Sequence, residues 1–174
     1  MIMKKQTLIY FGLLAGLLNI IGWFALDALF QKDDFDFGLG EILGYAAMLV
    51  ALSTVFFGVK RYRDVNLDGK ISFVQAFLNG LIIVLVAASI YVIGWEIYYP
   101  NFAADFGERY SEYLVQSYEE QGLSTEEMKI KKEEMAVWMD RYENPLVRIP
   151  LTLMEILPLG ILVAAISGLV LMKQ

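Results

Sequence analysis

The stretch FVQAFLNGLIIVLVAASIYVIGWEIY, residues 73–98, decides the fold class, because Glu96 is its one charged residue. A helix rises about 1.5 Å per residue, so roughly 20 apolar residues cross a hydrocarbon core about 30 Å thick. The run ends on Trp95, Tyr98 and Tyr99 before Pro100, the kind of side chains that settle at a membrane–water boundary. Three more blocks read the same way. Residues 7–30 are interrupted by Asn19 and Asp27, 38–59 are closed by Lys60, Arg61 and Arg63, and 149–172 are closed by Lys173. Lys4-Lys5 before the first block imitates a signal peptide. The apolar run is too long for one, and Ala25-Leu26-Asp27-Ala28 makes a poor cleavage site, so the first block is expected to stay as a span. The expectation is an all-α integral membrane four-helix bundle, with 1–174 a single membrane domain.

Composition agrees. Hydrophobic residues make up 57% of the 174 and the mean hydropathy is +0.52, more than a soluble domain carries. The chain has no cysteine and no histidine, which excludes disulfides, thiolate chemistry, imidazole metal sites and Ser-His or Cys-His catalysis. With a net charge of −6 and scattered basic residues, there is no basic stripe for nucleic acid. No nucleophile–base pair or metal-ligand motif stands out, so the reading is a non-enzyme without cofactor or metal.

Four spans put both termini on one side. That side holds Lys4, Lys5, Lys60, Arg61, Arg63, Lys70 and Lys173, whereas the short connection 31–37 opposite holds Lys32 against Asp33, Asp34 and Asp36. Basic residues near span ends stay in the cytoplasm, so both termini are expected there. The segment 101–148, with eleven carboxylates and six basic residues, then faces outward.

That segment has a helical pattern. Phe106, Tyr110, Tyr113, Leu114 and Ser117 fall on one face, Gly122 suits a stop, and Ser124-Thr125-Glu126-Glu127 is a capping box. Met128, Met135, Met139 and Tyr142 continue a second helix that Asn144-Pro145 ends. The expectation is an antiparallel helical hairpin over about 104–143, between spans three and four. Its aromatic and methionine face either packs within the protein or docks a partner, since Met-rich faces adapt to partners.

Three glutamates lie inside apolar blocks. Glu41 starts span two, Glu96 ends span three, and Glu155 falls about 6–9 Å into span four. All three reach the same outer layer, where Asp27 is a fourth candidate. Charge in that layer is costly, and convergence on a cation, on shared protons or on a base would offset it. Arg148, two turns before Glu155, is the evident base. Pro158 lacks an N–H and so leaves the Met154 carbonyl free beside Glu155. The candidate ligand or ion site is therefore Glu41, Glu96, Glu155 and Arg148, with Tyr45, Trp95 and Tyr98 around it. The alternative is a structural polar belt in which Arg148 pairs with one or two acids.

Two further patterns have structural readings. Asp64-Val65-Asn66-Leu67-Asp68-Gly69-Lys70-Ile71-Ser72 resembles the start of a calcium loop, but its twelfth position is Gln75, which cannot supply the bidentate carboxylate. A tight polar turn between two spans accounts for it. Small residues recur at Gly12-x-x-x-Gly16, Gly40-x-x-x-Gly44 and Gly160-x-x-x-Ala164-x-x-x-Gly168. Such stripes pack helices within one bundle or between copies of a homo-oligomer.

Several stretches resemble one family. They are Gly40-Glu41-Ile42-Leu43-Gly44-Tyr45, Phe57-Gly58-Val59-Lys60-Arg61-Tyr62-Arg63-Asp64 and Gly69-Lys70-Ile71-Ser72-Phe73 in the first half, with Gly94-Trp95-Glu96-Ile97-Tyr98-Tyr99 and Glu155-Ile156-Leu157-Pro158-Leu159-Gly160 in the second. The chain resembles the domain-of-unknown-function 4199 family of small bacterial four-span membrane proteins. The resemblance implies the four-span fold, a bacterial membrane and weight on the three glutamates, and it implies no activity. The functional expectation is a non-enzymatic accessory or scaffold protein of the inner membrane, presenting its periplasmic hairpin to a periplasmic or membrane partner. The alternative is a small ion- or ligand-binding membrane protein or transporter using the carboxylates.

Overall fold

The computed structural model describes residues 3–29 and 36–173. Most of the connection 31–37, with Lys32, Asp33 and Asp34, lies outside the described residues. Among the described residues there are six helices: α1 Lys5–Leu29, α2 Phe37–Asn66, α3 Phe73–Phe102, α4 Phe106–Glu120, α5 Thr125–Tyr142 and α6 Pro145–Leu171. By length and composition α1, α2, α3 and α6 can each cross a membrane, so the protein is an all-α, multi-pass membrane protein. The chain divides into two compact units, Met1–Gly94 with Leu153–Gln174, and Trp95–Thr152.

Helix ends depart from the sequence boundaries for local reasons. Lys60, Arg61 and Arg63 do not close α2, which runs on to Asn66, because Lys and Arg are good helix formers once beyond the apolar layer. The stop comes where Asp68 (φ 51°) and Gly69 (φ 79°) turn left-handed, and the amides of Leu67 and Gly69 donate to the Arg63 carbonyl at 3.2 and 3.1 Å. Asp64 is therefore helical, its carboxylate held by Arg63 Nε at 2.7 Å, and the calcium-like pattern is helix at 64–66 and non-helical from Leu67 to Ser72. At the other end of α2, the Asp36 carboxylate caps the Leu39 amide at 3.0 Å.

In the first unit the α3 residues up to Gly94 meet each of the other three spans through small residues. A Cβ on Gly16 would stand 2.5 Å from Ile90 Cβ, and one on Gly12 would overlap Val86. From α6, a Cβ on Gly160 would overlap Val84, while Gly80 of α3 leaves room for Ala164. On α2, Gly58 gives way to Phe11 and Ile83. The first and third stripes thus pack helices inside the bundle, as close backbone approach requires, whereas nothing lies within 4 Å of a Cβ on Gly44.

Leu52, Val55, Val59, Ile83, Val84 and Ile156 are fully buried at the centre. Outward, Leu17, Ile21, Val50, Phe57, Leu85, Ile93, Leu162 and Val170 are exposed, an apolar girdle that suits lipid and not water. Polar residues within the spans satisfy themselves locally. Asn19 donates to the Ala15 carbonyl at 2.9 Å, Thr54 to Ala51 at 2.8 Å and Ser89 to Leu85 at 2.9 Å.

Both ends of the chain attach near the start of α3. Ile71 and Lys173 exchange backbone hydrogen bonds of 3.0 and 2.9 Å, and the Met3 amide donates to the buried Asn79 Oδ1 at 2.7 Å. Arg63 Nη1 also donates to the Leu171 carbonyl at 3.3 Å, satisfying an open acceptor at the end of α6.

Candidate functional site

The second unit is organised on Arg148. Its sequence setting explains the placement. α5 ends at Tyr142, Asn144 Oδ1 accepts from the Leu146 amide at 3.0 Å, and Pro145 occupies the first helical position of α6, where a missing N–H costs nothing. Asn144-Pro145 thus ends one helix and begins the next, and Arg148 falls in the first turn of α6.

From there Arg148 Nε and Nη2 donate to the two carboxylate oxygens of Glu96, each at 2.8 Å. Its Nη1 donates to the carbonyls of Tyr142 and Glu143 at 3.1 and 3.3 Å, which are open acceptors at the end of α5. The guanidinium lies 4.7 Å over the Tyr99 ring and 5.9 Å from that of Tyr142, a cation–π arrangement. Arg148 is 5% exposed. A guanidinium this deep is tolerable because carboxylate, carbonyls and ring faces occupy it on several sides.

Aromatic residues frame the pair. Along the last turns of α3, Trp95 packs on Tyr98 and Tyr99 with centroids 5.7 and 5.9 Å away, and Tyr98 stacks on Phe102 at 5.5 Å. The ladder continues into α4 through Phe106 and Tyr110. Trp95 Nε1 donates to the Tyr142 hydroxyl at 2.8 Å, and the Tyr99 hydroxyl donates to Glu143 Oε1 at 2.7 Å. Pro100 lies inside α3 and does not end it. The Glu96 carbonyl gives up its helical donor there, and the helix reaches Phe102.

Of the seven sequence candidates, the structure gathers Glu96, Arg148, Trp95 and Tyr98 in this unit. It adds Tyr99, Tyr142 and Glu143, which sequence reasoning left out of the site. Their signal was the spacing of Tyr99 beside Glu96, and the carbonyls of a helix end five and six residues before a buried arginine. The carboxylate that Arg148 takes is Glu96, and the expected seven-residue relation to Glu155 is not the one it uses.

In the first unit Glu155 accepts a hydrogen bond from the Tyr91 hydroxyl, and Glu41 is close enough to act electrostatically on both Glu155 and Tyr45. Tyr91 is buried, whereas Tyr45 and both carboxylates are exposed. Pro158 lies within α6, so the Met154 carbonyl has no helical donor there. Among the described residues, no group of three or more acidic side chains is placed to hold a metal ion.

Between these helix ends of the second unit stands the α4–α5 hairpin. Gly122 turns it with φ 74°. The capping box forms as expected, with the Glu127 amide donating to Ser124 Oγ at 3.3 Å and the Ser124 amide to Glu127 Oε2 at 2.9 Å. The Ser124 hydroxyl also donates to Glu127 Oε2 at 2.7 Å, and this bond together with that from the Ser124 amide holds the Glu127 carboxyl below the ordinary glutamate range. The helices approach closely at Gly107, where a Cβ would stand 3.2 Å from Met139 Sδ. Yet α4 has no buried residue, and the buried residue of α5 is Met135. Two grooves flank Met135, of about 490 and about 270 Å³.

The chain belongs to the family described as proteins of unknown function, DUF4199, whose model matches residues 10–173. No curated protein and no solved structure matches it.

Proposed function

We propose that the protein is a non-enzymatic accessory or scaffold protein of the bacterial inner membrane that holds its α4–α5 hairpin to a partner on the periplasmic side. One observation carries the reading: the hairpin is fastened at its base by a buried, fully engaged arginine, yet of all the residues of α4 and α5 only Met135 is buried. A helix pair kept only for its own packing would bury more than Met135, whereas a surface held out for another molecule needs a firm base and free faces. Orientation is supported by the basic residues Lys60, Arg61, Arg63 and Lys70 near the α2–α3 turn, beside which both chain ends attach.

Purification from native membranes tests the partner. The expected result is one stoichiometric companion that is lost when 104–143 are replaced by a short linker, while spans and membrane level persist. A chain that purifies alone, in cells indifferent to the replacement, sinks the reading. The cysteine-free sequence also allows clean topology mapping. A cysteine at Gly122 should react with an impermeant maleimide from outside, and one at Asp68 only after the membrane is opened.

A second reading rests on the Tyr91–Glu155 bond and the nearby Glu41: a small ion- or ligand-binding membrane protein or transporter. Proteoliposome cation flux that Glu155→Gln leaves unchanged removes it.

A further inference from the structure

The two grooves of the hairpin differ in chemistry. The smaller is aromatic, with Tyr110, Tyr118, Trp138 and Tyr142 on its walls. The larger is walled by Glu108, Glu112 and Glu119 of α4 and floored by Val115, Met135 and Ala136. Positions 108, 112, 115 and 119 step by four, three and four, so they form one stripe along α4. The stripe covers eleven residue steps, about 16 Å or three helical turns. Its three carboxylates and Ala136 are exposed, and Met135 is buried beneath them. Lys132 of α5 is the basic residue in the lining.

Resting on the scaffold reading, we propose that this groove receives a basic amphipathic helix from a partner protein. Apolar side chains would seat on Val115, Met135 and Ala136, and Lys or Arg along the flank would meet the three glutamates, the helix-in-groove mode with complementary charge. Charge argues against other occupants. A second copy in a two-fold contact brings the same acids to the groove, and an anionic lipid surface is repelled by them.

The test uses the full chain in zwitterionic nanodiscs and a labelled 18-residue Leu/Lys helix, apolar on one face, with its Leu/Glu counterpart and empty nanodiscs as baselines. By fluorescence anisotropy the Leu/Lys helix binds, the Leu/Glu helix does not, and added salt weakens the complex. Replacing all three acids (Glu108→Gln, Glu112→Gln, Glu119→Gln) weakens binding about tenfold, given the modest worth of each exposed pair. Lys132→Glu strengthens it severalfold, and Ala136→Trp, which fills the floor from an exposed position, abolishes it. Equal binding of the two helices, or wild-type affinity in the triple variant with helicity intact, overturns the proposal. The scaffold reading is judged separately. If the native companion is lost on hairpin replacement but kept by the triple variant and by Ala136→Trp, the groove assignment fails and the scaffold stands. If hairpin replacement leaves the companion bound, the scaffold itself fails.

Discussion

Arg148 and Glu96 meet side-on, two parallel bonds of 2.8 Å joining the first turn of α6 to the end of α3. The same guanidinium holds the last carbonyls of α5, so three helices depend on one side chain. Removing the acid strands a charge that is 5% exposed. Glu96→Ala is expected to cost about 2–4 kcal/mol, below the full buried-pair penalty because the Glu96 side chain is 21% exposed. Arg148→Lys should not substitute, since an ammonium cannot reach both oxygens and the carbonyls. Melting in detergent measures both variants, and wild-type stability in either contradicts the assignment.

Tyr99 supplies the second tie, its hydroxyl on Glu143 at 2.7 Å. Tyr99→Phe keeps the ring under Arg148 and deletes this bond, at about 1–2 kcal/mol. Hydrogen exchange should quicken at the amides of 139–143 and stay unchanged in α1. Uniform exchange across the chain would show that the bond does not hold the end of α5.

Small-residue packing gives a steric prediction. Because a Cβ on Gly160 overlaps Val84, Gly160→Ala should destabilise the first unit by about 1–3 kcal/mol. Val84→Ala should restore part of that loss in the double variant. Gly44→Ala, with open space around it, is the neutral control, and equal melting temperatures for Gly160→Ala and Gly44→Ala would refute the packing.

The capping box makes the start of α5 sensitive to acid. Hydrogen bonds from Ser124 hold the Glu127 carboxyl below its ordinary range, so folding favours the carboxylate. Its contribution is whole above the ordinary glutamate range and is lost as pH falls through the lowered folded value. The Ser124 and Glu127 amides should therefore lose protection only in that acid window. Glu127→Gln, which can still cap, should keep the helix start and abolish its pH dependence. An NMR titration of those amides decides it.

The four spans, the hairpin and the capping box were legible because hydropathy, turn residues and cap spacing are local signals. Helix ends were less so. The basic residues after Val59 mark where the apolar run stops, not where hydrogen bonding stops, and Pro100 removes one donor without breaking the rest of α3. The partner of Arg148 was legible only in part: the belt reading lets it pair with one or two of the acids, and the structure selects Glu96. A seven-residue offset puts Glu155 on a similar face but about 10 Å along the axis, farther than two side chains bridge readily. Glu96 is 52 residues away in sequence, and no periodicity joins α3 to α6. Equal depth groups Tyr45, Glu41 and Glu155 with Glu96, and depth does not say which acid finds which donor.

In the proposed function, the Arg148–Glu96 fastening presents the hairpin to a partner. The most direct measurement places a photo-crosslinking residue at Gln116, exposed in the larger groove, in living cells. A single protein adduct is predicted, falling severalfold in Glu96→Ala at equal membrane level. No adduct, or the same adduct at the same yield in Glu96→Ala, contradicts the claim.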